Sequence, residues 1–247
     1  MYKKTFFGRR KGRPLRKNQR ARLERLMPIL SLAPHLVKDQ ILVLPNIFTK
    51  TYDSYWLEIG FGAGEHLAKQ AADNPHIGFI GCEPYINGVA HFLGHVERAN
   101  LQNVRLFTDD VHDLFAYLPQ GQINRVFILF PDPWPKKRHR ARRLILPQFL
   151  TSLAYVLKDQ AIIRISTDHG DYLRWILFYM QAFGSFEWCN PEPVACSHRP
   201  EDWPETRYAR KALAGRPHYL TFCYHAGYHH GTEKPGQMLA HPPYIFE

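Results

Sequence analysis

The sequence lacks the long apolar run and the paired cysteines that mark several classes of protein. No stretch approaches the roughly 18 consecutive apolar residues that a membrane-spanning helix requires, so we expect no integral membrane segment. The basic N-terminus has no apolar core like that of a secretory signal, and we expect no export. The four cysteines form no CxxC pair, which favours reduced thiols in a cytoplasmic protein.

Acidic residues are nearly missing from the first 25 positions. This segment holds eleven Lys and Arg side chains against one acid, Glu24, and so carries the whole net charge of +10. The remaining residues, 26–247, are neutral as a set. A cationic arm on a neutral globule favours a polyanionic partner, and nucleic acid is the commonest one. A solubilising tail and a transit peptide are the alternatives, and the scarcity of Ser and Thr disfavours the transit peptide.

Short apolar segments alternate with helical ones from residue 55 onward. The predicted strands are 55–59, 77–82, 104–107, 125–130, 161–165, 185–189 and 218–225, and the predicted helices are 65–72, 87–99, 145–157 and 170–183. This alternation is typical of an α/β fold in which helices cover both faces of a mostly parallel sheet. We expect one domain at 27–225, a basic arm at 1–26 and a tail at 226–247. The segment from Arg16 to Leu30 is predicted to form a helix on a surface, because it has enough Leu and Arg to be helical but is too charged to pack as core.

The turn after the first predicted strand is rich in glycine and is preceded by an acid. Gly60, Gly62 and Gly64 follow Glu58 with the spacing acid-x-G-x-G-x-G, and glycine lets the backbone turn tightly and approach a ligand. A dinucleotide-binding turn would have glycine or alanine where this chain has Glu65. A carboxylate at the strand end repels pyrophosphate and favours a cationic cofactor such as S-adenosylmethionine.

Two further acids end the next two predicted strands. A carboxylate at Glu83 can accept both hydroxyls of a ribose, and Asp110 is placed to accept from an adenine amino group, with Asp109 the less favoured candidate. Three successive strand ends that each carry an acid predict a nucleoside-cofactor site. The alternative is a coincidental tight turn with solvated acids.

The loop after the fourth predicted strand combines prolines with basic residues. Three prolines within residues 131–135 exclude a helix and stiffen the chain. Asp132 is therefore a rigidly held acid at a strand end, and Trp134 is available to stack on a base. Six Lys and Arg side chains follow at 136–143 without an acid. The alternative is a proline-rich turn followed by a solvated basic helix start.

Several motifs between about residue 7 and about residue 224 resemble those of the bacterial tRNA (guanine-N7)-methyltransferases. The block PDPW-x-K-x-RH, which is specific to that family, occupies residues 131–139. The other matching motifs are Glu58-Ile59-Gly60-Phe61-Gly62, Glu83, Ser166-Thr167-Asp168, Thr206-Arg207-Tyr208 and, in the arm, Arg10-Lys11-Gly12-Arg13 with Gln19.

The resemblance implies a seven-stranded, Rossmann-like methyltransferase sheet. It implies methyl transfer from S-adenosylmethionine to N7 of guanosine 46 in the tRNA variable loop, with Asp132 as the acidic residue of the catalytic site. The implied cofactor contacts are Glu58, Gly60, Gly62, Gly64, Glu83, Asp110 and Asp132. The implied contacts to the substrate are Lys136, Asp168, Thr206 and Arg207. The implied RNA contacts are Arg138, Arg140, Arg142, Arg143, Arg10, Lys11 and Arg13. We expect the arm to act on tRNA affinity and to leave cofactor binding unchanged.

One position departs from the family pattern. Where the family usually carries Thr-x-(Phe/Tyr)-Glu, the last residue here is Ala209, so a substrate-side carboxylate is missing. A methyltransferase for another RNA base and a non-catalytic RNA-binding module are therefore the competing hypotheses. The intact acids Glu58, Glu83 and Asp132 favour an enzyme. The spacing of Cys189, Cys196 and His198 matches no common zinc site, and we expect no metal.

Overall fold

The computed structural model describes residues 7–190, 196–204, 209–210 and 214–227. In these ranges seven strands form one sheet: β1 (Ser54–Ile59), β2 (Ile77–Cys82), β3 (Val104–Phe107), β4 (Ile123–Leu129), β5 (Leu157–Thr167), β6 (Phe186–Trp188) and β7 (His218–Tyr224). Their order in the sheet is β3-β2-β1-β4-β5-β7-β6. The first five strands of that order are parallel, and β7 runs antiparallel to β5 and β6. The predicted α/β sheet is therefore confirmed.

Helices cover both faces of this sheet. The described helices are α1 (Lys17–Leu30), α2 (Glu65–Asp73), α3 (Ile86–Ala99), α4 (Val111–Phe115), α5 (Pro147–Val156) and α6 (Gly170–Phe183). Consecutive residues of β1 point to opposite faces of the sheet and belong to two different hydrophobic clusters. Leu57 lies in the cluster that includes residues of α4, α5 and α6, whereas Trp56 lies in the cluster that includes residues of α2 and α3. None of these helices is long and apolar enough to cross a membrane.

Some boundaries differ from those that the sequence predicts. Strand β5 begins at Leu157 rather than Ala161, because three exposed residues between them hide the strand from a pattern based on apolar residues. Helix α4 was not predicted, since its five residues are too few to show helical periodicity.

Helix α1 packs on the surface of the domain through one face. Leu30 is buried in the cluster beneath α2 and α3, and the apolar residues of the preceding two turns pack against the same cluster. On the polar side, Glu97 of α3 accepts from Arg22 at 2.7 Å and also pairs with Arg25. Leu30 is the one buried residue of α1, so the prediction of a surface helix that does not form core is confirmed, and the partly buried apolar residues of one face attach the helix to the domain. The predicted boundary after residue 26 falls within α1.

Candidate active site

A cavity of about 800 Å³ opens at the carboxyl ends of the parallel strands. Its wall includes Gly60 and Gly62 after β1, Glu83 after β2, Asp110 after β3 and Asp132 after β4. Parallel pairing of β1 with both β2 and β4 places these strand ends side by side. Five of the residues that the sequence predicted as cofactor contacts therefore line one cavity, although their contacts with a cofactor stay a prediction.

Glu83 joins the glycine turn to the end of β2. Its Oε2 accepts from the backbone N–H of Gly62 at 2.7 Å, and its Oε1 accepts from the N–H of Tyr85 at 2.8 Å. Burial raises the pKa of Glu83, the two amide bonds oppose that shift, and the negative charges of Asp132 and Glu58 add to it. A buried carboxylate near other acids favours a ligand that brings positive charge or hydroxyl donors.

Asp110 is fixed at the start of α4. Its Oδ1 accepts from the backbone N–H of His112 at 3.1 Å and lies 2.7 Å from Nδ1 of the same histidine. The neighbouring Asp109 pairs with Arg10 of the arm at 2.6 Å. The two adjacent acids thus have different partners, and only Asp110 lines the cavity.

Two non-glycine residues with left-handed backbone flank Asp132. Phe130 has φ of 51° and Trp134 has φ of 42°. Each such residue costs on the order of 1–3 kcal/mol, and the strain persists only where surrounding contacts hold the chain. Asp132 is an exposed residue that lines the open cavity, where partial desolvation raises its pKa. The loop that carries this acid, residues 130–135, is called the catalytic loop below, after the role that the resemblance implies for Asp132.

Glu58, which the resemblance implied as a cofactor contact, pairs with a histidine of α2. Its carboxylate and the ring of His66 are both 2% exposed, and Oε2 lies 2.6 Å from Nδ1. The pair borders a small recess beside the glycine turn and not the main cavity. The sequence analysis missed His66, although its position as the second residue of α2, directly after the glycine turn, was a usable signal.

Gly64 also lies off the main cavity. It has φ of 78°, and a Cβ atom there would stand 2.3 Å from Cδ2 of Phe92. Only glycine fits this close approach between the turn and α3.

The predicted substrate contacts are only partly described. Lys136 is exposed at the start of the 3₁₀ helix (Lys137–Arg142), and Oδ2 of Asp168 accepts from the N–H of Ala214 at 3.1 Å. Neither residue lines the cavity. The predicted contacts Thr206 and Arg207 lie outside the described residues.

The arginines predicted to bind RNA after the catalytic loop differ in their exposure and in their partners. Arg138 is exposed, whereas Arg140 pairs with Asp171 at 2.9 Å. The guanidinium of Arg142 lies over the rings of Phe7 and Trp134, 4.7 and 5.1 Å from their centroids. Arg143 is completely buried, so its side chain cannot reach a phosphate in this conformation.

The N-terminal arm contributes to the cavity. Phe7, Gly8 and Arg9 belong to its wall. The backbone carbonyl of Arg10 accepts from the N–H of Ile86 at 3.1 Å.

Asn87 of α3 holds the next part of the arm. It accepts from the N–H of Gly12 and donates to the carbonyl of Arg13, both at 2.7 Å. The side chains of Lys11 and Arg13 are exposed. Because these contacts hold the arm against the cavity, we now expect it to contribute to cofactor binding, and unchanged cofactor binding without the arm stays the competing prediction.

We predict that deleting residues 1–13 weakens the binding of S-adenosylmethionine about tenfold, or ~1.4 kcal/mol, because part of the cavity wall is lost. Isothermal titration calorimetry measures the change, with circular dichroism to confirm folding. Arg10→Ala should weaken binding by a smaller factor, since it removes the exposed pair with Asp109 and leaves the backbone of the arm in place. Lys11→Ala is the control, because Lys11 is exposed in the same segment. Unchanged affinity of the truncated protein would contradict the prediction.

No cluster of three or more metal-ligating side chains occurs in the part of the chain that the structure describes. The cavity wall combines three carboxylates with aromatic and aliphatic side chains and with three arginines, Arg9, Arg142 and Arg143. Such a mixed wall suits an organic ligand with apolar and polar parts.

Comparison with known proteins agrees with this geometry. Residues 53–218 match a family model described as putative methyltransferase. A tRNA (guanine-N(7)-)-methyltransferase of Ruegeria pomeroyi is 48% identical over 224 residues, which are 89% of this chain and 94% of that protein. A second one, of Rhodospirillum rubrum, is 43% identical over 220 residues, which are 88% of this chain and 86% of that protein.

A solved structure supports the fold. The 16S rRNA (adenine(1408)-N(1))-methyltransferase W203A mutant with cosubstrate SAM from Catenulisporales acidiphilia has a TM-score of 0.50 and 16% identity. The match covers 71% of this chain and 88% of that one. This similarity shows the fold alone, whereas the two relatives with 48% and 43% sequence identity show the family. The chain belongs to the family of S-adenosylmethionine-dependent tRNA (guanine-N(7)-)-methyltransferases.

Proposed function

We propose that this protein methylates N7 of a guanosine in the variable loop of tRNA, at position 46, in the cytoplasm. The observation that carries the proposal is the convergence of Glu83, Asp110 and Asp132 on one cavity next to exposed basic residues. The family to which the chain belongs supports the methyl acceptor, and the resemblance of the PDPW block supports the position.

The cavity fits S-adenosylmethionine in its size and in its charge. In the proposal Glu83 accepts from the ribose hydroxyls, Asp110 accepts from the adenine amino group, and the amides of the glycine turn face the methionine portion. When bound, the cofactor supplies an electrophilic methyl group on a sulfonium centre. Its positive charge offsets the mutual repulsion of the acids, which together with burial raises the pKa of Glu83.

Asp132 acts on the guanine. N7 carries a lone pair and accepts a methyl group without losing a proton, so the reaction depends on proximity and alignment more than on a general base. Positive charge develops on the purine as the methyl group arrives. The carboxylate of Asp132 stabilises that charge. A hydrogen bond from the N1–H or amino group of the base would instead orient it.

Exposed basic side chains surround the cavity and bind the tRNA backbone in the proposal. They are Lys136 and Arg138 after the catalytic loop, and Lys11 and Arg13 in the arm. Each phosphate that they neutralise makes the affinity more dependent on salt. The acids inside the cavity and the bases around it thus suit the two substrates, a cation and a polyanion.

The direct test is to incubate the protein with methyl-labelled S-adenosylmethionine and bulk tRNA, and to map the labelled nucleotide by nuclease digestion and mass spectrometry. We expect 7-methylguanosine at position 46. Label on another base would replace the proposed acceptor, and cofactor binding without label in tRNA would favour the non-catalytic module.

We predict that Asp132→Asn lowers kcat by about 10²-fold, because the amide keeps the shape and an acceptor oxygen but loses the charge. Desolvation raises the pKa of Asp132, so activity should fall on acidification at a higher pH than for an ordinary aspartate. The acid limb should be absent from the residual activity of the variant. Single-turnover rates across a pH series test both expectations. Near-normal activity of Asp132→Asn would favour base orientation over charge stabilisation.

We predict that Ala209→Glu raises the rate of methylation of the variable-loop guanosine several-fold, because it restores the carboxylate of the family motif. Ala209→Gln is the matched control, with the same length and no charge. Equal effects of the two variants, or a loss with both, would show that the missing carboxylate does not limit this enzyme. The measurement is kcat/KM with a single purified tRNA.

A further inference from the structure

Arg143 makes its contacts inside the protein, beneath the catalytic loop. Its Nε donates to the carbonyl oxygen of Pro133 at 2.8 Å, and its Nη2 donates to the carboxylate of Asp171 on α6. The guanidinium lies over the rings of Tyr172 and Trp175, 5.0 and 4.6 Å from their centroids. A planar guanidinium makes all these contacts at once, whereas the ammonium of lysine offers no planar fork.

The carbonyl of Pro133 is one of few points by which the backbone of the catalytic loop can be held. Proline has no N–H, so three of the six residues of this loop can form backbone hydrogen bonds only through their carbonyl oxygens. At the start of the loop, the N–H of Phe130 donates to the carbonyl of Ser166 at 2.9 Å. Asp132 lies between that bond and the bond from Arg143. The two bonds therefore fix the backbone on both sides of the acid.

Burial of this guanidinium is not explained by stability alone. A charge in the interior is costly to desolvate, and an apolar side chain of similar volume often gives equal or greater stability. The position nevertheless carries an arginine whose guanidinium donates to the backbone of the catalytic loop. This placement indicates that Arg143 fixes the conformation of that loop.

We propose that Arg143 is a positioning residue for Asp132. It holds the carbonyl of Pro133 and so keeps the Asp132 carboxylate facing the cavity. Asp171 and the two aromatic rings fix the guanidinium in turn. This inference rests on the proposed function, since it assumes that Asp132 acts in methyl transfer, and it replaces the RNA-binding role that the sequence suggested for Arg143.

The test compares Arg143→Lys with Arg105→Lys in the full-length protein. Arg105 is a matched control, because it is also buried, donates to the carbonyls of Ile47 and Val104 and lies over the ring of Phe48, but it is on β3 and does not touch the catalytic loop. We expect both variants to lower the melting temperature. Arg143→Lys should also lower the single-turnover rate by at least about tenfold at saturating tRNA, with KM for tRNA unchanged. Arg105→Lys should keep the wild-type rate at a temperature where it is folded.

A double-mutant cycle shows whether Arg143 acts through Asp132. In the Asp132→Asn background, Arg143→Lys should reduce the rate by less than about twofold, because the acid that it positions is already gone. A full tenfold loss in that background would overturn the proposal. So would a rise in KM for tRNA at an unchanged rate, since that result would make Arg143 an RNA contact.

If Arg143→Lys does not fold, Asp171→Asn replaces it. This change removes the carboxylate that pairs with the guanidinium of Arg143. It should lower the rate several-fold when Asp132 is present and have no such effect in the Asp132→Asn variant. An unchanged rate would reject the positioning role. All rates are measured on whichever base the wild-type protein methylates. A wrong acceptor base therefore rejects the proposed function without changing the outcome for Arg143.

Discussion

Parallel pairing of β1 with β2 on one side and with β4 on the other is the constraint on which the site depends. It brings together strand ends that are distant in sequence, and each end carries an acid or a glycine turn. The acids cannot separate, because the hydrogen bonds of the sheet fix the strands. Burial and the negative charges of Asp132 and Glu58 raise the pKa of Glu83, and desolvation raises the pKa of Asp132. The fold thus gathers these acids at one cavity.

Acidic and basic side chains meet at the cavity. Glu83, Asp110 and Asp132 line it together with Arg9, Arg142 and Arg143, whereas further Arg and Lys side chains of the arm and of the segment after the catalytic loop are exposed. The arm lines the cavity with Phe7 and reaches Asp109 with Arg10. One segment therefore contributes both to the cavity and to the basic surface.

Much of the fold and part of the site could be predicted from the sequence. The strand ends at Glu83 and Asp110 follow from local apolar patterns and turn residues, which depend on near neighbours in the chain. The pairing of Glu58 with His66 and the burial of Arg143 could not be predicted in this way. Both depend on tertiary packing: His66 contacts Glu58 of β1 and the ring of Phe127 of β4, and Arg143 contacts Asp171, Tyr172 and Trp175 of α6. A run of basic residues in the sequence does not show which member points inward.

The prolines of the catalytic loop have a consequence for conformational entropy. Each proline ring fixes its own φ, so this stretch has fewer conformations in the unfolded chain than an ordinary loop. Ordering the loop in the folded protein therefore costs less entropy per residue. Part of the precision with which the chain holds Asp132 at the cavity is thus built into its covalent structure before any contact forms.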